Sequence, residues 1–501
     1  MKFAALLGAT LAVAASATTD LTVRGWRGKK PVNSKKLQAA ITQEKLLAGS
    51  KTLLSFAEKY PGRTRITGSN GHNDTVNWLK SELEALDYYD VSLQEFFTVV
   101  MVSGNINTFT VDGEAVEALL FDFSGSGNAT APLVVVNNLG CEAADYPAEV
   151  EGKIALISRG TCNFGLKSAL AGAAGAAGAL IYNNAPGTIQ GTLGAPPRPE
   201  GPYVATLSLS QEQGQAYVAA IAGGATITAT LDVATEVRNA STFNVLATTK
   251  CGDQNNRLAL GAHTDSVLAG PGINDDGSGV IGILEVAKAL SKYEVKNAVT
   301  FGFWSGEEID LLGSAFYVAS LSPAENLKIR GYLNFDMIAS PNYIHAIYDG
   351  NGDAFNLTGP AGSAEFETFL EDYFTSAGQN FTATAFDGRS DYGPFLDANI
   401  PSGGTFTGAE ELKTAEEVER FGGEVGVALD KCYHAACDDA DNLSLEAFEL
   451  HGKAIAAAVA KYSTSWKGFP ARNVTAKRGF VKGRDSVHHS HKRGCAKHLT
   501  H

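Results

Sequence analysis

Residues 258–308 constrain the fold more than any other stretch of this 501-residue chain. An apolar run (LALGA) ends at His263 and Asp265, and a glycine-rich segment with Asp275 and Asp276 follows. A helical pattern covers 280–290, a second apolar run covers 298–304, and Glu307-Glu308 comes next. Another helical pattern near 311–321 leads to a third run at 331–335, which stops at Asp336. Short apolar runs alternating with helical patterns predict parallel strands joined by helical crossovers, so the fold class is α/β, a mostly parallel sheet between helix layers. In such a sheet, strand carboxyl ends share one edge and face a crevice. His263, the Glu-Glu pair and Asp336 all sit at such ends.

The rest of the chain fits around this unit. Helical spacing covers 37–60 and stops at Pro61-Gly62; a second helix carries Val76, Leu79, Leu83 and Leu86 on one face. Residues 91–100 are β-rich, and 124–132 (SGSGNATAP) read as a loop or boundary. Short strands are expected at 132–136, 154–158, 179–182 and 226–233, with a small-residue helix over 166–178. Helices are expected again at 366–374 and 445–461.

Composition narrows the function classes. With 44% hydrophobic and 19% charged residues, a large core is expected. A net charge of −14 argues against a nucleic-acid partner, since phosphates need a basic surface. Residues 1–17 read as a secretory signal peptide cut after Ala17, and no run is long enough to span a membrane. Residues 18–36 form a basic arm or propeptide, and 467–501 a basic, His-rich tail expected to be disordered. Sequons at Asn73, Asn128, Asn239, Asn356, Asn380, Asn442 and Asn473 are candidate glycan sites, and the 6 cysteines belong to an oxidising compartment. Cys251 and Cys495 have no evident partner.

The chemistry-bearing residues are few. Of 10 histidines, those in the tail are set aside, and His72, His345 and His451 are expected to be structural. His263 is a candidate metal ligand, with Asp265 placed to hydrogen-bond its far nitrogen. Asp275 lies in a tight glycine-rich loop suited to wrapping an ion. Adjacent Glu307 and Glu308 point in different directions, so one can bind metal while the other stays free as a base. Tyr433-His434 lies between Cys432 and Cys437, where a disulfide would hold both rings. Two histidines, three acids and a spare glutamate suit two Zn²⁺ ions sharing a carboxylate bridge.

Two resemblances follow from longer motifs. GKIALISRGTCNF (152–164) and the AGAAGAAGALIYNN after it resemble the protease-associated domain, a small insertion of several exopeptidases. Cys141 and Cys162 fall inside it and are candidates to pair. The segments GRTRITGSNGHNDT, GAHTDSV, GINDDGSG, FWSGEEIDLLGSAFYV, LNFDMIASPN, GRSDYGPF, GGTFTGAEELKT and CYHAACD resemble the co-catalytic zinc aminopeptidases. The closest group is the fungal secreted leucine aminopeptidases and vacuolar aminopeptidase Y. That resemblance spans 37–462.

It implies a three-layer α/β/α zinc exopeptidase domain (37–123 and 237–466) interrupted by an α+β protease-associated domain (124–236). It further implies that Asp275 bridges two zinc ions, His263 and Asp336 complete one, and Glu308 and His434 complete the other. Glu307 becomes the general base, Tyr433 the donor to the oxyanion, and Asp265 a support for His263. Met337 and Phe406 match positions lining an apolar pocket. The implied activity is removal of an N-terminal Leu or other apolar residue from peptides by a water bridged by the two zincs. The enzyme is expected to be a secreted monomer without membrane partners, with the vacuole as the alternative. Competing expectations are a carboxypeptidase on the same fold, with Arg389 holding the carboxylate, and an inactive receptor-like relative.

Overall fold

The computed structural model describes residues 29–189 and 191–472. The expected signal peptide, Asn473, Cys495 and the tail beyond 472 lie outside the described residues. The longer helices are α1 (Gln43–Glu58), α2 (Asn70–Glu84), α3 (Phe164–Ala173), α4 (Gln211–Ala222), α5 (Gly277–Leu290), α6 (Leu312–Ser320), α7 (Ser363–Ser376) and α8 (Leu445–Tyr462). The longer strands are β1 (Tyr89–Val111), β2 (Gly127–Val135), β3 (Ile154–Ser158), β4 (Gly178–Tyr182), β5 (Thr206–Leu209) and β6 (Thr228–Thr249). Then follow β7 (Asp253–His263), β8 (Asn297–Trp304), β9 (Ile329–Phe335), β10 (Ala346–Tyr348), β11 (Thr382–Thr384) and β12 (Ser402–Phe406).

Outside the inserted unit the sheet order is β11-β10-β12-β9-β7-β8-β6. Strands β12, β9, β7 and β8 run parallel, with antiparallel pairings at β10–β12 and β8–β6. One face packs on α1, α2, α5 and α8 through Leu53, Leu79, Ile283 and Ile455. The other face buries Trp304, Tyr332 and Phe395. There the indole N–H of Trp304 donates to the Tyr332 hydroxyl at 2.9 Å, so this large ring is buried without an orphaned donor. The sheet is thus a mostly parallel, mixed one between two helix layers, as expected.

The sheet continues from β6 through β2 into the inserted unit, where β2, β3, β4 and β5 pair in parallel and Leu119–Leu120 pairs antiparallel with β5. Its helices α3 and α4 begin at side-chain caps, Asn163 and Ser210. Three local expectations are corrected. The loop expected over 124–132 is largely strand: Gly127–Pro132 pairs with Thr228–Val233, and the Thr130 and Thr230 hydroxyls bond at 2.9 Å. Cross-strand pairing overrides the poor strand propensity of Gly, Asn and Ala. The β-rich run at 91–100 extends to all of β1, because β6 pairs along its whole length and ties the inserted unit to the main sheet. The helix expected over 37–60 breaks near Ala40 into Ser34–Gln38 and α1.

The start of the basic tail is packed rather than free. Phe469 is buried against the main core, and the Arg472 guanidinium donates to the carbonyls of Asn326, Ile329 and Asn399. Among the described residues no helix is long and apolar enough to cross a membrane. Disulfides join Cys141 to Cys162 and Cys432 to Cys437, while Cys251 has no disulfide partner among the described residues. The sequon Asn442 is corrected as a glycan candidate: it is buried, and its amide donates to Asp430 and Asp438. Asn128, Asn239, Asn356 and Asn380 are exposed.

Candidate metal centre

Parallel pairing of β9, β7 and β8 brings their carboxyl ends together, and each end carries site residues. His263 is the last residue of β7, Asp336 follows β9, and Glu307-Glu308 follows β8 after a turn at Gly306, whose φ of 77° favours glycine. The loop from β7 to α5 returns Asp275 to the same edge. Asp276 then caps α5, its carboxylate accepting the Gly279 amide at 2.8 Å. A side chain at Gly279 would collide with the Phe335 carbonyl, so this close approach of α5 to β9 requires glycine.

These side chains meet in space. Nε2 of His263 lies 3.2 Å from Oδ1 of Asp275 and 3.7 Å from Oδ1 of Asp336. Nε2 of His434 lies 3.2 Å from Oδ2 of Asp275 and 3.1 Å from Oε2 of Glu308. The two oxygens of Asp275 therefore face different histidines. Glu307 stands slightly further out, its Oε2 3.9 Å from Nε2 of His263. Ligand atoms of His263, Asp275 and Glu308 lie within 4.8 Å of one another, as do those of His263, Asp276 and Asp336. The Asp276 carboxylate, however, already accepts the amides of His263, Gly279 and Met337. It braces the loop, which leaves Asp275 as the free carboxylate.

The electrostatics test whether metal ions fit here. Burial, then the charge of Asp275, pushes Glu308 up to about 7 despite His434. Burial raises Glu307 too, with Asp336, Glu308 and Asp391 adding repulsion. Burial opposes charge on His263 and His434, but Glu307 beside the first and Glu308 beside the second raise both above the usual imidazole range. Oε1 of Glu308 and Oδ1 of Asp336 are buried without a hydrogen bond. Buried carboxylates cost several kcal/mol each unless a cation compensates them, roughly. A site of imidazoles and carboxylates with inward-facing, unsatisfied oxygens fits zinc.

Several supporting residues have no local signal in the sequence. Arg65 is fully buried; its guanidinium donates to the carbonyls of Pro271 (2.9 Å), Thr264 and Gly272, clamping the loop that carries Asp275. Asp438 accepts the amides of Asn274 (2.8 Å) and Asp275 (3.0 Å). Burial pushes its carboxyl up to about 8, helped by Asp430. Ser390 donates to Oδ2 of Asp336 at 2.5 Å. Only the long-range pairing of these segments reveals the roles.

The remaining expected residues are placed as follows. Asp265 accepts the amides of Gly306 (2.9 Å) and Glu307 (3.3 Å) and the Thr67 hydroxyl (2.9 Å). Its Oδ1 is 3.6 Å from Nδ1 of His263, longer than a hydrogen bond. Tyr433 stacks on His434 with ring centroids 3.9 Å apart, inside the Cys432–Cys437 loop. Met337 and Phe406 follow or end neighbouring strands, and the Thr407 amide bonds the Met337 carbonyl at 2.9 Å. Arg389 pairs with Glu410 at 3.0 Å and Glu411 at 3.5 Å. His72 bonds Thr264 at 2.8 Å, and His345 bonds His451 at 3.0 Å, which are structural contacts.

With this geometry in place, comparisons add independent information. Residues 244–459 match the family model for peptidase family M28, and residues 129–217 match that of the PA domain. A probable leucine aminopeptidase 2 of Aspergillus fumigatus is 53% identical over 451 residues, 90% of this chain and 89% of the relative. Leucine aminopeptidase 2 of Trichophyton rubrum is 49% identical over 91% of each chain. An aminopeptidase from Aneurinibacillus sp. strain AM-1 superposes with a TM-score of 0.66 at 27% identity, over 85% of this chain and 95% of that one. A zinc aminopeptidase from Bacillus subtilis shares the fold, with a TM-score of 0.62 at 24% identity, over 86% and 97%.

Proposed function

This chain belongs to peptidase family M28, and we infer how its own residues carry out the zinc-dependent aminopeptidase reaction of that family. Asp275 would bridge two zinc ions, with His263 and Asp336 on one side and Glu308 and His434 on the other. The single observation that carries this division is Asp275, whose two oxygens each lie 3.2 Å from a different histidine. When bound, zinc supplies a Lewis acid for the scissile carbonyl and makes water acidic enough to ionise near neutral pH.

The protein residues do the rest. Glu307 accepts the proton of the attacking water and returns it to the leaving amine, as a carboxylate left out of the ligand set can do. The Tyr433 hydroxyl donates to the oxyanion that forms as the carbonyl is attacked. Asp265 fixes the turn that carries Glu307 through its bonds to the Gly306 and Glu307 amides. Apolar Met337 and Phe406 would receive the side chain of the residue removed, in keeping with the leucine named for the relatives. The two disulfides support an oxidising setting, secreted or vacuolar.

A carboxypeptidase reading needs a cation free to meet a terminal carboxylate. Arg389 is committed to Glu410 and Glu411, which argues against it. An inactive relative would have lost ligands or the base, and here all are present. Removing zinc with a chelator should abolish hydrolysis of Leu-p-nitroanilide, and two equivalents of zinc per chain should restore it. The N-acetylated substrate should resist cleavage throughout. Restoration at one equivalent, or equal rates on free and blocked substrates, would refute this reading.

A further inference from the structure

The loop from β11 to the short helix Tyr392–Asp397 touches the centre on both sides. Ser390 donates to Asp336, and its neighbour Arg389 reaches Tyr433 on the His434 side. The loop is held by its own bonds. The Gly388 and Arg389 amides donate to the Tyr392 hydroxyl at 3.1 and 3.3 Å, and that hydroxyl donates to Oδ1 of Asp387 at 2.7 Å. The Arg389 guanidinium is fixed by Glu410 and Glu411, which lie on the segment leading from β12 to Tyr433. Its Nη2, the nitrogen paired with Glu410, also donates to the Tyr433 hydroxyl oxygen at 3.4 Å.

This contact bears on how Tyr433 can act. Stacking on His434 sets the plane of the Tyr433 ring, but a phenol O–H still turns about its C–O bond. Where its proton points depends on what else the oxygen meets. An N–H donating to the oxygen occupies one side of it, turns the phenol proton away, and polarises the O–H as a donor. Among the described residues the Tyr433 hydroxyl makes no other hydrogen bond, so its proton is left for the crevice. The side chains of Arg389, Glu410 and Glu411 are 39%, 45% and 42% exposed, and ion pairs so exposed add little to folding. The main effect of this cluster is therefore on the phenol it touches. We propose that Arg389 is a positioning residue for the hydrolytic step, turning the Tyr433 hydroxyl toward the oxyanion. This rests on the role given to Tyr433 above and adds what directs it.

The test measures kcat and KM on Leu-p-nitroanilide for a cycle of zinc-loaded full chains: wild type, Arg389→Met, Tyr433→Phe and the double variant. Arg389→Met should lower kcat about tenfold, the scale of one hydrogen bond from a charged donor, with KM, zinc content and melting temperature little changed. In the Tyr433→Phe background the same substitution should change kcat by less than about twofold, because the hydroxyl it acts through is gone. Arg389→Lys, which keeps the charge without the fork, should fall between wild type and Arg389→Met, and it carries the cycle if the Met chain does not fold. An equal fall in kcat in both backgrounds overturns the proposal, as does an Arg389→Met rate within about twofold of wild type. So does a loss confined to KM, which would assign Arg389 to substrate binding. If Tyr433→Phe by itself keeps the full rate, the role given to Tyr433 fails, and this inference with it.

Discussion

Replacing Arg65 should loosen the metal centre without touching a ligand. Three buried carbonyls, of Thr264, Pro271 and Gly272, take their hydrogen bonds from this one guanidinium. Burial works against its charge, while Asp265, Asp438, Asp276 and Asp275 favour it. Arg65→Met fills a similar volume but leaves the Thr264 and Pro271 carbonyls unsatisfied, at roughly 1–3 kcal/mol each, while the Gly272 carbonyl keeps the Gly277 amide at 3.1 Å. Allowing for partial relaxation, the expected loss is about 2–5 kcal/mol. Arg65→Lys keeps the charge but cannot reproduce the three-way fork, so about 2–3 kcal/mol should be lost. For a large domain this lowers the melting temperature by roughly 5 °C in the Met variant and somewhat less in the Lys variant. Because the clamped loop carries Asp275, zinc affinity should fall in the same order. The assay is thermal unfolding by tryptophan fluorescence, beside back-titration of chelator-stripped protein with zinc. A Met variant that melts within about 2 °C of wild type and binds zinc normally would refute the clamp argument.

Three further outcomes follow from the same geometry. Glu307→Gln should cut kcat by roughly 10²–10⁴ while both zincs stay bound, whereas Glu308→Gln should lower zinc content; metal analysis showing the reverse pattern would exchange their roles. Tyr433→Phe keeps the stack on His434 and should lose about 10²–10³ in kcat with little change in KM; an undiminished rate in steady-state assays would remove Tyr433 from the chemistry. Burial lowers His345 to about 4, with Lys413 adding to it, so the unfolded chain takes up the proton first. The contribution of His345 is therefore complete above pH 6.5 and lost as pH falls toward 4, at ~1.4 kcal/mol per pH unit. Urea unfolding should show the stability difference between wild type and His345→Gln shrinking by about 3 kcal/mol over that interval; a flat difference would show the pair tolerates charge.

Much of the catalytic part was legible because its signals are local. The strands at 298–304 and 331–335 are short apolar runs, and each is followed within three residues by the acid it presents. His263 and Asp265 are likewise adjacent in sequence to the strand that aims them. The misreadings have a common cause. Gly127–Pro132 looks like a loop by composition, and only pairing with Thr228–Val233 makes it a strand. Asn442 looks like a surface sequon, and only the approach of Asp430 and Asp438 buries it.

By itself, the sequence pointed to alternating strands and helices and to the sheet edge where His263, Glu307, Glu308 and Asp336 collect. Those follow from periodicity and from the shared direction of parallel strands. Tertiary structure decided what holds the site residues still. Arg65 reaches carbonyls 199, 206 and 207 positions away, and Asp438 holds the Asp275 amide across 163. Leu268 and Ile309, on the two site loops, pack against Phe121 and Phe123 only because distant segments come together there. Interactions over such separations leave no periodic trace in a single chain, because they depend on which surfaces pack rather than on which residues are neighbours.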